Sequence, residues 1–123
     1  MIKLTFCIHR LPHMTRGEFQ SYWLDTHGPL VKKHAQALNV RRYLQHHPMD
    51  HPINDAIKKS RGTPEGFDGV AELWFDSVES MMEPANSETG RAAMKAIRED
   101  EARFIDSENS PVWVGQDHIL VEG

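Results

Sequence analysis

Residues 2–9 alternate without a break: Ile2, Leu4, Phe6 and Ile8 fall on one side, Lys3, Thr5, Cys7 and His9 on the other. That period of two is the mark of a half-buried β-strand. Leu11, Pro12 and His13 then make a turn, and Thr15 followed by Glu18 reads as a capping box opening a helix. Phe19, Tyr22, Trp23, Thr26, Leu30, Val31 and His34 recur at steps of three and four, one stripe of a helix that must face a sheet. Gly28-Pro29 interrupts the stripe and predicts a kink or restart, because proline is tolerated where a helix begins again.

After a turn at Asn39, residues 40–47 alternate again, with Val40, Arg42, Leu44 and His46 against Arg41, Tyr43, Gln45 and His47. Residues 48–66 are rich in breakers, with room for one short helical turn at 54–60. A loop of that length in a small domain points to function. Residues 67–76 form a third strand, with Phe67, Gly69, Ala71, Leu73 and Phe75 on one side and Asp68, Val70, Glu72 and Trp74 on the other. Ser77 and Ser80 start a second helical region, broken near Pro84 and resumed over 87–98. Residues 100–106 read equally as one more helical turn or as loop, and Pro111 precedes a fourth strand over 112–121.

The order β-α-β-β-α-β predicts an α+β, ferredoxin-like domain, a four-stranded antiparallel sheet with its helices on one face. The strongly apolar side, from Ile2 to Ile8 and from Ala71 to Phe75, is expected under the helices. The other side would carry Thr5, Cys7, Tyr43, Gln45, Val70, Glu72 and Trp74, too many large rings for a plain solvated face. A second copy of the chain is the expected cover, giving a homodimer through the sheet face.

The 123 residues allow a single domain over 1–123, and 39% hydrophobic with 26% charged residues excludes disorder. No apolar run approaches the roughly 20 residues of a membrane span, and the first residues lack a secretory signal, so a cytoplasmic protein is expected, with no membrane partner. The lone Cys7 excludes an internal disulfide and reads as a small core residue. A net charge of −4 without a basic stripe argues against nucleic acid.

Eight histidines are many for this length. His9 with His13, His46 with His47, and His51 have no metal-ligand spacing on a regular element, so no metal is expected. His27 differs, falling between Trp23 and Val31 in the apolar arc and one residue before Gly28-Pro29. Unsatisfied carbonyls there favour the imidazolium while burial opposes it, as suits a general acid or base. A core histidine bonded to a freed carbonyl accounts for the same spacing. Tyr22 and Trp23 read as core aromatics or as ligand contacts, and Tyr43, Gln45 and His47 as a polar row beside a ligand or across an interface. Asp68 and Glu72 lie about 13 Å apart along their strand, too far to act together on one bond. No Gly-rich phosphate loop or nucleophile elbow is present, which removes dinucleotide and serine-hydrolase chemistry.

The stretch Phe19-Gln-Ser-Tyr-Trp-Leu-Asp-Thr-His-Gly-Pro-Leu-Val, with Val40-Arg-Arg-Tyr-Leu-Gln and Phe67-Asp-Gly-Val-Ala-Glu-Leu-Trp-Phe-Asp, resembles the EthD family over about the whole chain. Its most specific element is Tyr-Trp followed by His-Gly-Pro. The resemblance implies a dimeric α+β barrel with a pocket between sheet and helices, lined by the histidine that matches His27. It also implies cofactor-independent chemistry on aromatic, polyketide-like or lactone molecules: oxygenase, dehydratase or isomerase. The reactive cysteine of the isomerase type has no counterpart in or before the third strand. Expected, then, is a cofactor-free enzyme with His27 as acid or base and Tyr22, Trp23, Tyr43, Gln45, His47 and Trp74 around the substrate. A non-catalytic binding protein of a degradation pathway, or a structural partner with a self-filled interior, are the other readings.

Overall fold

A computed structural model describes residues 1–123. The alternating segments become strands β1 Ile2–Ile8, β2 Arg42–His46, β3 Gly69–Phe75 and β4 Val112–Gly115. They form one antiparallel sheet in the order β2-β3-β1-β4, the ferredoxin-like arrangement the sequence predicts. Register fixes the faces. Ile2, Leu4, Phe6 and Ile8 pair with Phe75, Leu73, Ala71 and Gly69, so all eight point to one side.

That side is closed by the helices. Ile8 and Ala71 from the sheet meet Phe19 and Trp23 from the first helix and Phe104 and Ile105 from the segment after the last. Trp23, Phe19 and Phe104 are among the largest fully buried side chains, each stabilising the fold by roughly 1.5–3 kcal/mol. Gly69 is required beneath Trp23. A Cβ there would sit 2.3 Å from Trp23 Cζ3, so only glycine lets the indole lie against the strand.

The first helix does not break at Gly28-Pro29. It runs as α1 Arg16–Tyr22, a π turn Trp23–His27, and α2 Gly28–His34. The capping box is present, Thr15 accepting from the Glu18 amide at 3.1 Å and Glu18 from the Thr15 amide at 2.9 Å. Pro29 has no N–H to give an α-helical bond, and the Gly28 amide instead donates five residues back to the Trp23 carbonyl. The helix absorbs its proline as one wide turn. Asn39, with φ 60°, then turns the chain toward β2 in the left-handed region that asparagine tolerates.

The breaker-rich stretch folds further than expected, into α3 Pro52–Arg61, capped at its start by the His51 side chain and at its end by Gly62 with φ 67°. Short α4 Val78–Met82 leads through a 3₁₀ turn Glu83–Asn86 into α5 Glu88–Glu101, which carries the helix past the predicted residue 98. The fourth strand is shorter than expected. Beyond Gly115 no neighbouring strand remains to pair with, and Lys3 holds Asp117 at 2.7 Å toward the open face. No helix is long and apolar enough to cross a membrane.

Candidate functional site

The π turn delivers His27 to the interior at its last position, where the ring is 4% exposed. Its partner is a carboxylate, not the freed carbonyl considered from sequence: His27 Nδ1 lies 2.7 Å from Asp100 Oδ2, and Asp100 too is 4% exposed. The other oxygen of Asp100 accepts the Tyr22 hydroxyl at 2.5 Å and the Arg103 guanidinium at 3.0 Å. Phe104 closes the group, its ring centroid 4.8 Å from that of His27 and 5.1 Å from that of Tyr22.

Charge states follow from these contacts. Burial pushes the His27 pKa below its ordinary value, and the Asp100 hydrogen bond only partly restores it. Burial pushes Asp100 up, but Tyr22, His27 and Arg103 outweigh it and hold the carboxyl below its ordinary range. The pair therefore rests as neutral imidazole and carboxylate, with Nδ1–H donating to Asp100 and the lone pair on Nε2.

The polar row of β2 does gather, on the side opposite to the one expected. Tyr43 pairs with Leu73 and Gln45 with Ala71, which places both under the helices and turns Arg42, Leu44 and His46 to the open face. Alternation could not decide this, because one set offers Tyr43 and the other Leu44 as its large apolar group. The π turn makes the inward glutamine tolerable: Gln45 Nε2 donates to the Trp23 carbonyl at 2.9 Å and to the Tyr43 hydroxyl at 2.7 Å. Gln45 Oε1 meets His47 Nε2 at 2.8 Å, and the His47 ring stacks on Trp23 with centroids 4.5 Å apart.

Trp74 does not join the group. It stands on the open face, its ring between Lys3 Nζ at 5.4 Å and Arg42 Cζ at 4.6 Å, a cation–π arrangement that occupies it. Asp68 is also separate, clamped by the Arg10 amide at 2.8 Å and the Arg10 guanidinium. No three His, Cys, Asp or Glu side chains gather where they could share a metal ion.

The model of the EthD domain matches residues 11–108. The chain belongs to the EthD family. No curated protein matches it. Among solved structures, an ethyl tert-butyl ether D family protein from Bacillus halodurans is 19% identical, with a TM-score of 0.62 over 96% of this chain and 99% of that one. An EthD-like protein from Ralstonia eutropha is 16% identical, with a TM-score of 0.59 over 99% and 95%. A dimeric protein of unknown function and ferredoxin-like fold from Bacteroides fragilis is 10% identical, with a TM-score of 0.59 over 94% and 95%. At these identities the likeness carries the fold of the EthD domain.

Two acids of this group escaped the sequence reading, Asp100 and Glu101. A signal was there. Ala93, Ile97 and Phe104 lie on the buried stripe of α5 and its extension, and positions 100 and 101 fall in the same arc. Glu101 keeps part of its surface open, yet burial raises its pKa to about 7, with Asp100 adding to the rise against Arg98. Its charge in turn helps burial raise Tyr43, linking the two groups of side chains.

Below its ordinary 4.5 Glu101 is protonated in both states, and as pH rises toward about 7 the unfolded chain releases the proton first, so stability is lost over that interval. Glu101→Gln removes the loss. Thermal unfolding is expected to place this variant a few degrees above the unsubstituted protein near pH 8 and close to it near pH 4. Equal curves near pH 8 would show that water reaches the carboxylate freely.

Proposed function

We propose that this EthD-family protein binds a small apolar compound, aromatic, polyketide-like or lactone, and moves a proton on it with His27 as general base. The observation that carries the reading is the 2.7 Å contact between His27 and Asp100. A buried carboxylate on Nδ1 fixes the tautomer, presents the Nε2 lone pair, and stabilises the imidazolium that forms when Nε2 takes a proton. The substrate is left with the electron pair of the broken bond. Reaction of that pair with oxygen gives monooxygenase-like chemistry; expulsion of a leaving group, or return of the proton elsewhere, gives dehydratase or isomerase chemistry.

In this reading Tyr22, which shares Asp100 with His27, and the hydrogen-bonded group of Trp23, Tyr43, Gln45 and His47 would surround the substrate, whereas Trp74 belongs to the opposite face. Two copies joined through that face complete the reading: Trp113, 51% exposed, lies there with Thr5, and the Bacteroides fragilis relative is described as dimeric. His27→Gln keeps the ring's approximate volume and should lower turnover about a hundredfold. The assay follows oxygen uptake and water loss with aromatic and lactone compounds, on a species expected to sediment at twice the chain mass. Turnover unchanged in the variant would sink the catalytic role. Binding without conversion would favour an accessory binding protein, and neither binding nor conversion would favour the structural partner, whose interior Phe19, Trp23 and Phe104 would fill.

A further inference from the structure

A cleft of about 660 Å³ opens between α2 and the outer edge of β2. This is the size of a pocket for a small organic molecule. Leu24, Pro29, Val40 and Leu44 supply apolar wall, and Leu24 is 57% exposed, with nothing in the chain to cover it. Tyr43 and Gln45, fixed by their mutual hydrogen bond, form its polar part. The charged residues of the lining are Lys32, Arg41 and Arg42, and no acid is among them.

In a chain of net charge −4 that local excess of cations selects by sign. Arg41 lies 3.5 Å from Asp76, but both are more than half exposed, so the pair is weak and its cation stays available. Arg42 carries its guanidinium to the Trp74 ring on the open face, which leaves Lys32 and Arg41 as the cations of the cleft. Lys32 makes no ion pair. As the edge strand of the sheet, β2 also leaves backbone groups unpaired along this side.

We infer that the cleft between α2 and β2 binds an apolar organic anion, its hydrocarbon body on Leu24, Pro29 and Tyr43 and its carboxylate between Lys32 and Arg41. The cleft shares Tyr43 and Gln45 with the site proposed above, but its occupation does not depend on His27 acting in turnover. A nucleotide or inorganic phosphate would meet the cations and waste the apolar wall. A neutral ring would use the wall and waste the cations.

The test titrates the full-length protein with 2-naphthoate, with 2-naphthamide as the uncharged match and inorganic phosphate as the charge without a ring. Backbone amide shifts in NMR report the place. Naphthoate is expected to bind at least tenfold more tightly than naphthamide and to move Gly28, Tyr43 and Gln45. Lys32→Glu, a change on an exposed side chain, should weaken naphthoate about tenfold and leave naphthamide unchanged. Equal affinity for the two ligands overturns the proposal, as do shifts confined to a separate cavity lined by His47, Pro48 and Phe67, indifference to Lys32→Glu, or full competition by phosphate. A parallel turnover assay of His27→Gln separates the two readings. Loss of turnover in His27→Gln while naphthoate fails to bind sinks only this inference, and naphthoate binding with turnover unchanged in that variant sinks only the catalytic one.

Discussion

Replacing Asp100 by alanine is expected to cost about 3 kcal/mol of stability, roughly 10 °C in Tm. The carboxylate is shared by three donors, the His27 ring at 2.7 Å, the Tyr22 hydroxyl at 2.5 Å and the Arg103 guanidinium at 3.0 Å. Its removal strands the buried imidazole N–H and the tyrosine hydroxyl, and an orphaned buried donor costs about 1–3 kcal/mol. The exposed arginine returns to water and adds little. The sign with pH is fixed by the direction of the shift: Asp100 is held below its ordinary range, so its contribution is complete above that range and fades as pH falls through the lowered value. Urea unfolding at neutral and acid pH should therefore show the two proteins converging in acid. A loss under about 0.5 kcal/mol at neutral pH would mean that water replaces the carboxylate, and that the site is wetter than its burial suggests.

Gly69→Ala is expected to be as damaging for a different reason. The added methyl would lie 2.3 Å and 2.7 Å from two carbons of the Trp23 ring, which is itself 1% exposed and has no free space to enter. Overpacking of this kind costs about 3 kcal/mol, because either the strand or the indole must leave its place. The effect should not stop at stability. Trp23 stacks on His47, and its carbonyl holds Gln45, so a displaced indole should change tryptophan fluorescence and the titration of His47 together. A variant of normal stability with an unchanged spectrum would show the sheet moving aside, and the packing at this crossing looser than the distances imply.

Much of the fold was legible because two strands announce themselves. β1 and β3 alternate cleanly, and their paired apolar sets leave one choice of inner face. Thr15, Ser77 and Ser87 cap their helices with the hydrogen bonds the sequence predicts or allows. The side taken by β2 was not legible, since Tyr43 and Leu44 are adjacent and either could be the inward group. What decides it is the Trp23 carbonyl that Gln45 finds on the helix side, and no local pattern encodes a bond across 22 residues. The end of β4 failed for a similar reason. Residues 116–121 have strand composition but no neighbour to pair with, and pairing, not composition, makes a strand.

The candidate site was half legible. His27 stands out as an ionisable ring on an apolar stripe, and burial of that ring follows from the stripe. Its partner lies 73 residues away, in the segment the sequence left open between helix and loop. Periodicity carried through that segment places Asp100 and Glu101 on the buried arc of α5, where an acid must either find donors or hold its proton. Asp100 does the first and Glu101 the second.

The wide turn that ends on His27 also acts as a spacer in the sequence. One residue of an ordinary helix is about 100° of rotation, so a chain lacking one of the residues between Trp23 and Gly28 could not keep both Trp23 over Gly69 and the histidine facing Asp100. Residue count across this turn is thus a physical constraint in its own right. A chain shortened by one residue there would have to give up one of the two placements.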